Sequence, residues 1–329
     1  MLLERVKARI VWFKAQCKAI RYYGLPLWIV KKAVAKIYPR NRAIGIRLNE
    51  LKTDIILKYF TNNYGDCIKN ISEESPRIIE KSCPIWVCWW QGEDSAPEII
   101  KACISSIRKH CGNHSVNVIT WDNYSQYVEI PDAIVKRYQN GNIMPAHMAD
   151  LLRCKLLTKY GGIWCDASIF MTDDIDEQIF DYSFYTIKHG LENCQELELE
   201  PSKCYWRIFF MGMGKGNPLV RICGDILERM LSEEKPIINY WAMDYIILML
   251  YRKIPMIKEM IDVVPYNNQM PYRLSGKLGY KDSEALWGEI CGAQSIHKLS
   301  WKIEIPNETD TVYFNRVVRN YPKDSFAEL

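Results

Sequence analysis

The run Lys159-Tyr160-Gly161-Gly162-Ile163-Trp164-Cys165-Asp166-Ala167-Ser168 constrains this chain more than any other segment. Ahead of it, Pro145 to Lys159 carries Met148, Leu151, Leu152, Leu156 and Leu157 at helical spacing. The glycine pair ends that helix, because glycine adopts the left-handed C-cap conformation without steric cost. Ile163 to Met171 then reads as one mostly apolar strand with a single carboxylate, Asp166. A charge in such a strand is costly to bury unless it is paired or holds a metal. On the helix, Asp150 and Arg153 stand at i and i+3 and project from one face. The corner therefore gathers two carboxylates, an arginine and a hydroxyl, the set that a metal–diphosphate and a sugar require.

The surrounding pattern is α/β. Ile85 to Trp90 reads as a strand, Pro97 to Cys111 as an amphipathic helix built on Ile99, Ile100, Cys103, Ile104 and Ile107, and Val116 to Trp121 as the next strand. This order implies a mostly parallel sheet flanked by helices, with ligands at the carboxyl ends of its strands. Trp89-Trp90, Trp121-Asp122 and Asp166-Ala167-Ser168 all fall there. Further on, Trp206 to Met213 reads as a strand. Asn217-Pro218 opens a helix to Leu231, with Asn as N-cap and Pro at N1, and another helix spans Tyr240 to Tyr251. Residues 1–75 form a helical extension and 76–329 a single catalytic domain, with loop punctuation at Asn62-Asn63-Tyr64-Gly65 and Glu73-Glu74-Ser75-Pro76.

The net charge of +4 hides an asymmetry: residues 1–60 hold 14 Lys and Arg against three acids, and the remainder is net acidic. Leu3, Val6, Ile10, Phe13, Cys17 and Ile20 recur at spacings of three and four, with Arg5, Lys7, Arg9, Lys14, Lys18 and Arg21 largely off that stripe. A second such segment, with Trp28, Ile29, Val30, Val34 and Ile37 beside Lys31, Lys32 and Lys36, follows the Gly24-Leu25-Pro26 break. Basic amphipathic helices with aromatics suit an anionic membrane surface; the alternative is packing on the rest of the chain or on a second copy. Nucleic acid is not expected, since no recognised binding motif accompanies the charge. The 12 cysteines form no C-x-x-C pair and sit mostly among apolar neighbours, which points to buried thiols in a reducing compartment. With no signal peptide and no transmembrane segment in view, a cytoplasmic protein on the inner face of the membrane is expected.

The set ADLLR…KYGGIWCDAS resembles the SDLLR…YGGIYxDxD signature of glycosyltransferase family 32 and its relatives, which have the GT-A fold, and among them the bacterial capsular polysaccharide synthesis subgroup. That subgroup also carries an upstream strand like Pro84-Ile85-Trp86-Val87-Cys88-Trp89-Trp90-Gln91-Gly92 and a late segment like Ser295-Ile296-His297-Lys298-Leu299. The resemblance implies a Rossmann-like sheet and transfer of a sugar, with retention, from a nucleotide donor that is most often UDP-linked. It implies Asp150, Arg153 and Asp166 as catalytic and donor-gripping residues. Trp89, Trp90 and Gln91 would lie at the donor base, and Lys298 at the diphosphate. Adjacent strand residues face opposite ways, so only one of the two tryptophans stacks on the base and the other is core.

The second carboxylate of the family motif is replaced here by Ser168, a weaker and neutral ligand for Mn²⁺ or Mg²⁺. The expected metal ligands are Asp166, Ser168 and His297. His147, one turn before Asp150, and Asp244, among aromatics, are acceptor-side candidates; each also reads as a packed helix residue. The acceptor implied is a polyprenyl-diphosphate-linked saccharide. Two other readings remain in sequence: a toxin-like transferase acting on protein, and a weakened assembly partner at the membrane.

Overall fold

The computed structural model describes residues 2–69, 76–191, 195–303 and 312–320. Helices α1 (Leu2–Tyr23), α2 (Leu25–Ile37) and α3 (Arg42–Tyr64) come first. A β-α-β unit follows, with β1 (Ile85–Cys88), α4 (Glu98–Lys109) and β2 (Val116–Ile119), then the short α5 (Tyr124–Tyr127) and α6 (Asp132–Gln139). The centre of the chain is α7 (Pro145–Tyr160), β3 (Gly162–Asp166), β4 (Ile169–Met171), β5 (Phe184–Thr186) and β6 (Phe210–Met213). The described part ends with α8 (Pro218–Ser232), α9 (Ala242–Lys253), α10 (Pro255–Asp262), α11 (Glu284–Ala293), β7 (Ile296–Lys298) and α12 (Tyr313–Asn320). The loop expected at Glu73-Glu74-Ser75 lies outside the described residues.

The main sheet has five strands in the order β2-β1-β3-β6-β5. β1 pairs in parallel with β2 and β3, β6 runs antiparallel to β3, and β5 antiparallel to β6. Four strands thus share one direction and β6 opposes them, so the expected mostly parallel α/β sheet is present with one reversed strand. β1 and β3 are buried along nearly their whole length and β5 and β6 completely, while the edge strand β2 is only partly buried. That burial explains their continuous apolar runs, since helices cover the sheet. α7 packs on β1, β3 and α8, and so buries side chains around most of its circumference.

The glycine pair does what its position requires. Gly161 (φ +70°) caps α7, its N–H donating to the Leu157 carbonyl at 2.9 Å. Gly162 has φ +102°, and a Cβ there would lie 2.2 Å from the Pro84 carbonyl oxygen. The close approach lets β3 enter the sheet directly beside β1, with Ile163 N–H donating to Pro84 O at 2.9 Å. Asn217 caps α8 as its sequence signals, its side chain accepting from Leu219 N–H at 3.0 Å.

Two strand expectations are corrected. Ile163–Met171 is not one strand: the chain turns at Ala167-Ser168, so β3 stays in the main sheet while β4 pairs antiparallel with β7 in a separate two-stranded sheet. The stretch from Trp206 becomes strand only at Phe210, because Arg207 instead turns inward and its backbone N–H donates to Thr186 Oγ1 at 2.9 Å.

The N-terminal helices pack on the rest of the molecule with one face. Leu27, Val30 and Val34 of α2 are buried, α2 packs on α3, and α3 packs on α9. Tyr23 donates to Pro236 O, Lys31 to Ile238 O, and Tyr38 and Arg42 to Glu198. The opposite face is open: Trp12 is 53% and Phe13 63% exposed, with Leu25 and Ile29 also exposed. The side chains of Leu3, Val6 and Ile10 lie outside the described set. Among the described residues, no helix is long and apolar enough to cross a membrane. Cys154, Cys165 and Cys223 are buried free thiols, as their apolar neighbours imply, whereas Cys88, at the end of β1, is only partly buried.

Candidate active site

The parallel register sets Cys88 opposite Asp166, so the ends of β1 and β3 meet at one point. Asp166 is pinned there by its backbone N–H, which donates to Phe209 O at 2.8 Å. Trp164, two residues earlier on the same side of β3, donates its indole N–H to Asp166 Oδ1 at 2.9 Å. Arg153, from the facing side of α7, donates Nη2 to Asp166 Oδ1 at 3.1 Å and Nη1 to Asp150 Oδ1 at 2.9 Å. Its guanidinium carbon lies 4.7 Å from the centre of the Trp164 ring, a cation–π contact that fixes the fork in place. Lys298 completes the row, with Nζ 2.6 Å from Asp166 Oδ2 and 2.8 Å from Ser168 Oγ.

The row Asp150–Arg153–Asp166–Lys298 alternates in sign. Arg153 and Asp150 are buried, while Asp166 and Lys298 reach the surface. Burial alone would raise the Asp166 carboxyl, but Lys298 and Arg153 outweigh it and hold Asp166 below the ordinary carboxylate range. Asp150 sits deeper, and there burial prevails over Arg153, so its carboxyl is raised. The pair is therefore no surface i,i+3 contact. It is a buried strut that fixes the orientation of Asp166.

Beside this row lies a third carboxylate, an acceptor-side candidate from the sequence. Asp244, in the first turn of α9, accepts from the Trp206 indole at 3.0 Å, and the neighbouring Met243 sulfur is 3.5 Å from Arg153 Nη1. Burial, together with the charges of Glu200 and Asp150, pushes the Asp244 carboxyl up to about 7. Arg207 reaches in from the turn before β6, ion-paired to Glu200 and donating Nε to His189 Nε2 at 2.9 Å. Glu200 and Arg207 were not legible as site residues, since neither belongs to a motif. Trp164 was missed as well, although strand alternation, which puts it on the same side of β3 as Asp166, could have found it.

His147 is buried and donates its Nε2–H to the Tyr240 carbonyl at 3.1 Å. It therefore anchors the chain ahead of α9, leaving the Tyr240 ring 57% exposed over the site. The two tryptophans divide as strand geometry requires, although both lie just past the end of β1. Trp90 is core, packed on Trp121, Tyr124 and Tyr138. Trp89 is half-buried with its ring edge-on to the exposed Trp301 at 5.8 Å, and its indole N–H has no partner among the described residues. Gln91 is exposed.

The expected metal ligands do not come together. β7 pairs Lys298 with Ile169 and His297 with Phe170, so the two adjacent side chains face opposite ways. His297 is fully buried with Nε2 3.2 Å from Thr172 Oγ1, and burial lowers its imidazole to about 4. Lys298, not His297, faces Asp166 and Ser168. Among the described residues no three His, Cys, Asp or Glu side chains cluster to hold a metal. A divalent ion on Asp166 Oδ2 would stand within about 5 Å of the Lys298 ammonium, a repulsion of about 6 kcal/mol or more at an effective dielectric constant of 20. Asp166, Ser168 and His297, as folded, do not fit a metal site.

Comparison with solved structures returns "PaToxG Glycosyltransferase", at 15% identity and TM-score 0.38, covering 75% of this chain and 99% of that one. It also returns "WbbM bifunctional glycosytransferase apo structure", at 12% identity and TM-score 0.39, covering 77% of this chain but only 51% of that one. No curated protein matches the sequence. A protein-family match spans residues 38–317, and this chain belongs to the family of capsular polysaccharide synthesis proteins.

Proposed function

We propose that this protein is a glycosyltransferase that moves a sugar from a nucleotide donor, UDP-linked in the simplest reading, to a saccharide acceptor during capsule synthesis. The observation that carries the reading is the Asp150–Arg153–Asp166–Lys298 row at the carboxyl ends of β1 and β3, the position where open α/β sheets bind ligands. In the reaction the bond from the anomeric carbon to the diphosphate oxygen breaks, and its electron pair leaves with the diphosphate. The acceptor hydroxyl oxygen bonds to that carbon, and its proton passes to the departing diphosphate oxygen. Cations preorganised where the leaving charge develops are the main source of acceleration for such a step. The orphaned Trp89 N–H and the Trp301 ring supply a polar and an aromatic contact for the donor base. The exposed Tyr240 ring and Asp244 supply an aromatic face and a carboxyl for acceptor hydroxyls.

A thermal-shift panel of sugar nucleotides tests this. The right donor, at 100 times its dissociation constant, stabilises the protein by about 2.7 kcal/mol. Asp166→Asn should lower turnover of that donor by about 10²-fold or more, because it unhooks both cations. A panel with no stabilising nucleotide would refute the transferase reading.

The acceptor we favour is a polyprenyl-diphosphate-linked saccharide, with the enzyme seated on the anionic inner surface of the membrane. Support comes from the open face of α1 and α2, where Trp12, Phe13, Leu25 and Ile29 are exposed together with Lys14, Lys18, Arg21 and Lys32. Such a combination of apolar wedges and cations suits a lipid surface, each cation contributing about 1 kcal/mol near anionic headgroups.

A further inference from the structure

Taking the donor to be a nucleoside diphosphate sugar, as proposed above, we propose that the Lys298 ammonium occupies the place of a divalent cation, so that donor binding by this enzyme needs no metal. An ammonium has three N–H donors. Two are committed here, to Asp166 Oδ2 at 2.6 Å and Ser168 Oγ at 2.8 Å, and the third is left for a phosphate oxygen. Nζ also lies 5.2 Å from the centre of the Phe209 ring, which limits where that third donor can point. The side chain is 19% exposed, enough to meet a ligand at the mouth of the site while its stem is held in the sheet.

Ser168 then has a positive reason to be a serine. A second carboxylate at this position would draw Lys298 into a two-acid clamp and add negative charge facing the diphosphate. The hydroxyl accepts one bond from the ammonium and adds no charge. The Asp166 carboxylate keeps the ammonium in position, as it would a metal, and Arg153 lies on the other side of the same carboxylate. The backbone fixes the arrangement as well: Leu299 N–H donates to Ser168 O at 2.9 Å, and the β4–β7 register sets Lys298 opposite Ile169. The turn at Ala167-Ser168 and the strand that delivers Lys298 are thus locked together.

The test uses the full-length protein, with calorimetric titration of uridine diphosphate in a chelator and again in Mn²⁺, and with free Mn²⁺ followed by electron paramagnetic resonance. In the wild type the chelator should change uridine diphosphate affinity by less than twofold, and the six-line signal of free Mn²⁺ should persist at stoichiometric protein. Lys298→Met should weaken uridine diphosphate binding tenfold or more with and without Mn²⁺, and Lys298→Arg should restore part of the loss. Wild-type binding that disappears in chelator and returns with Mn²⁺ would overturn the proposal, with no need of a variant. So would stoichiometric Mn²⁺ uptake by the wild type that is lost in Asp166→Asn. Metal-dependent binding would leave the transferase reading standing, whereas failure of every nucleoside diphosphate to bind would remove both.

Discussion

Replacing Arg153 with Met is the most informative single change, because it removes the cation shared by two carboxylates while keeping most of the side-chain volume. Arg153 is 4% exposed and bonds to Asp150 and Asp166 at 2.9 and 3.1 Å. Removing one member of a buried ion pair typically costs about 3–5 kcal/mol, since the remaining charge has lost its partner. Here that charge is chiefly Asp150, whose carboxyl is already raised by burial even with Arg153 present. Without the arginine it rises further, so the folded variant binds more protons than its unfolded chain. For such a group stability falls as pH rises. The deficit relative to the wild type should therefore be largest at pH 8 and shrink toward pH 5. Urea unfolding of the wild type, Arg153→Met and Arg153→Met with Asp150→Asn, at pH 5, 6.5 and 8, measures this directly. The double variant should recover at least half of the loss at pH 8. A deficit below about 1 kcal/mol at pH 8, or one that does not vary with pH, would refute the reasoning.

Asp244, held at about 7 against an unfolded value near 3.9, destabilises the fold as pH climbs from about 4 through 7. Asp244→Asn keeps an acceptor for Trp206, and its stability should gain on the wild type across that window and level off above it; parallel pH profiles would contradict the assignment. Gly162→Ala should destabilise by about 3 kcal/mol or more, or yield no soluble protein, because the new Cβ collides with Pro84 O at a positive φ. Near-normal unfolding would show that the β1–β3 junction relaxes. Trp12→Ser, Phe13→Ser and Ile29→Ser together should abolish co-sedimentation with anionic vesicles while leaving the melting temperature within a few degrees, since all three are exposed. Removing residues 1–40 outright is a poorer test, because it strips Leu27, Val30 and Val34 from α3.

What sequence revealed, and what it concealed, follows from the range of the forces involved. The α7 helix, its glycine stop and the Asn217-Pro218 helix start rest on short-range signals, and they stand where expected. The break between β3 and β4 has no local mark. The Ile163–Met171 run is apolar on both sides of it, and what divides the run is the partner each half finds, β6 or β7. The same limit affects His297 and Lys298. Adjacency in a motif does not say which of two neighbours faces the site, and only the β4–β7 register turns the lysine inward. Arg207 and Glu200 were out of reach because their approach to Asp244 depends on an irregular turn before β6.

The division of Ile163–Met171 into two strands also fixes when in the life of the chain the site can exist. Asp166 and Lys298 are 132 residues apart, so a ribosome that has finished α7 and β3 still has much of the protein to make before the ammonium is available. Until then β4 presents an unpaired edge and Asp166 lacks one of its two cations. Termination between Met213 and Ile296 thus yields a fragment that holds every strand of the main sheet yet lacks the strand that delivers Lys298. Such a chain carries a sticky strand that marks it for aggregation or degradation. In this fold the Asp166–Lys298 contact therefore reports that synthesis has passed β7.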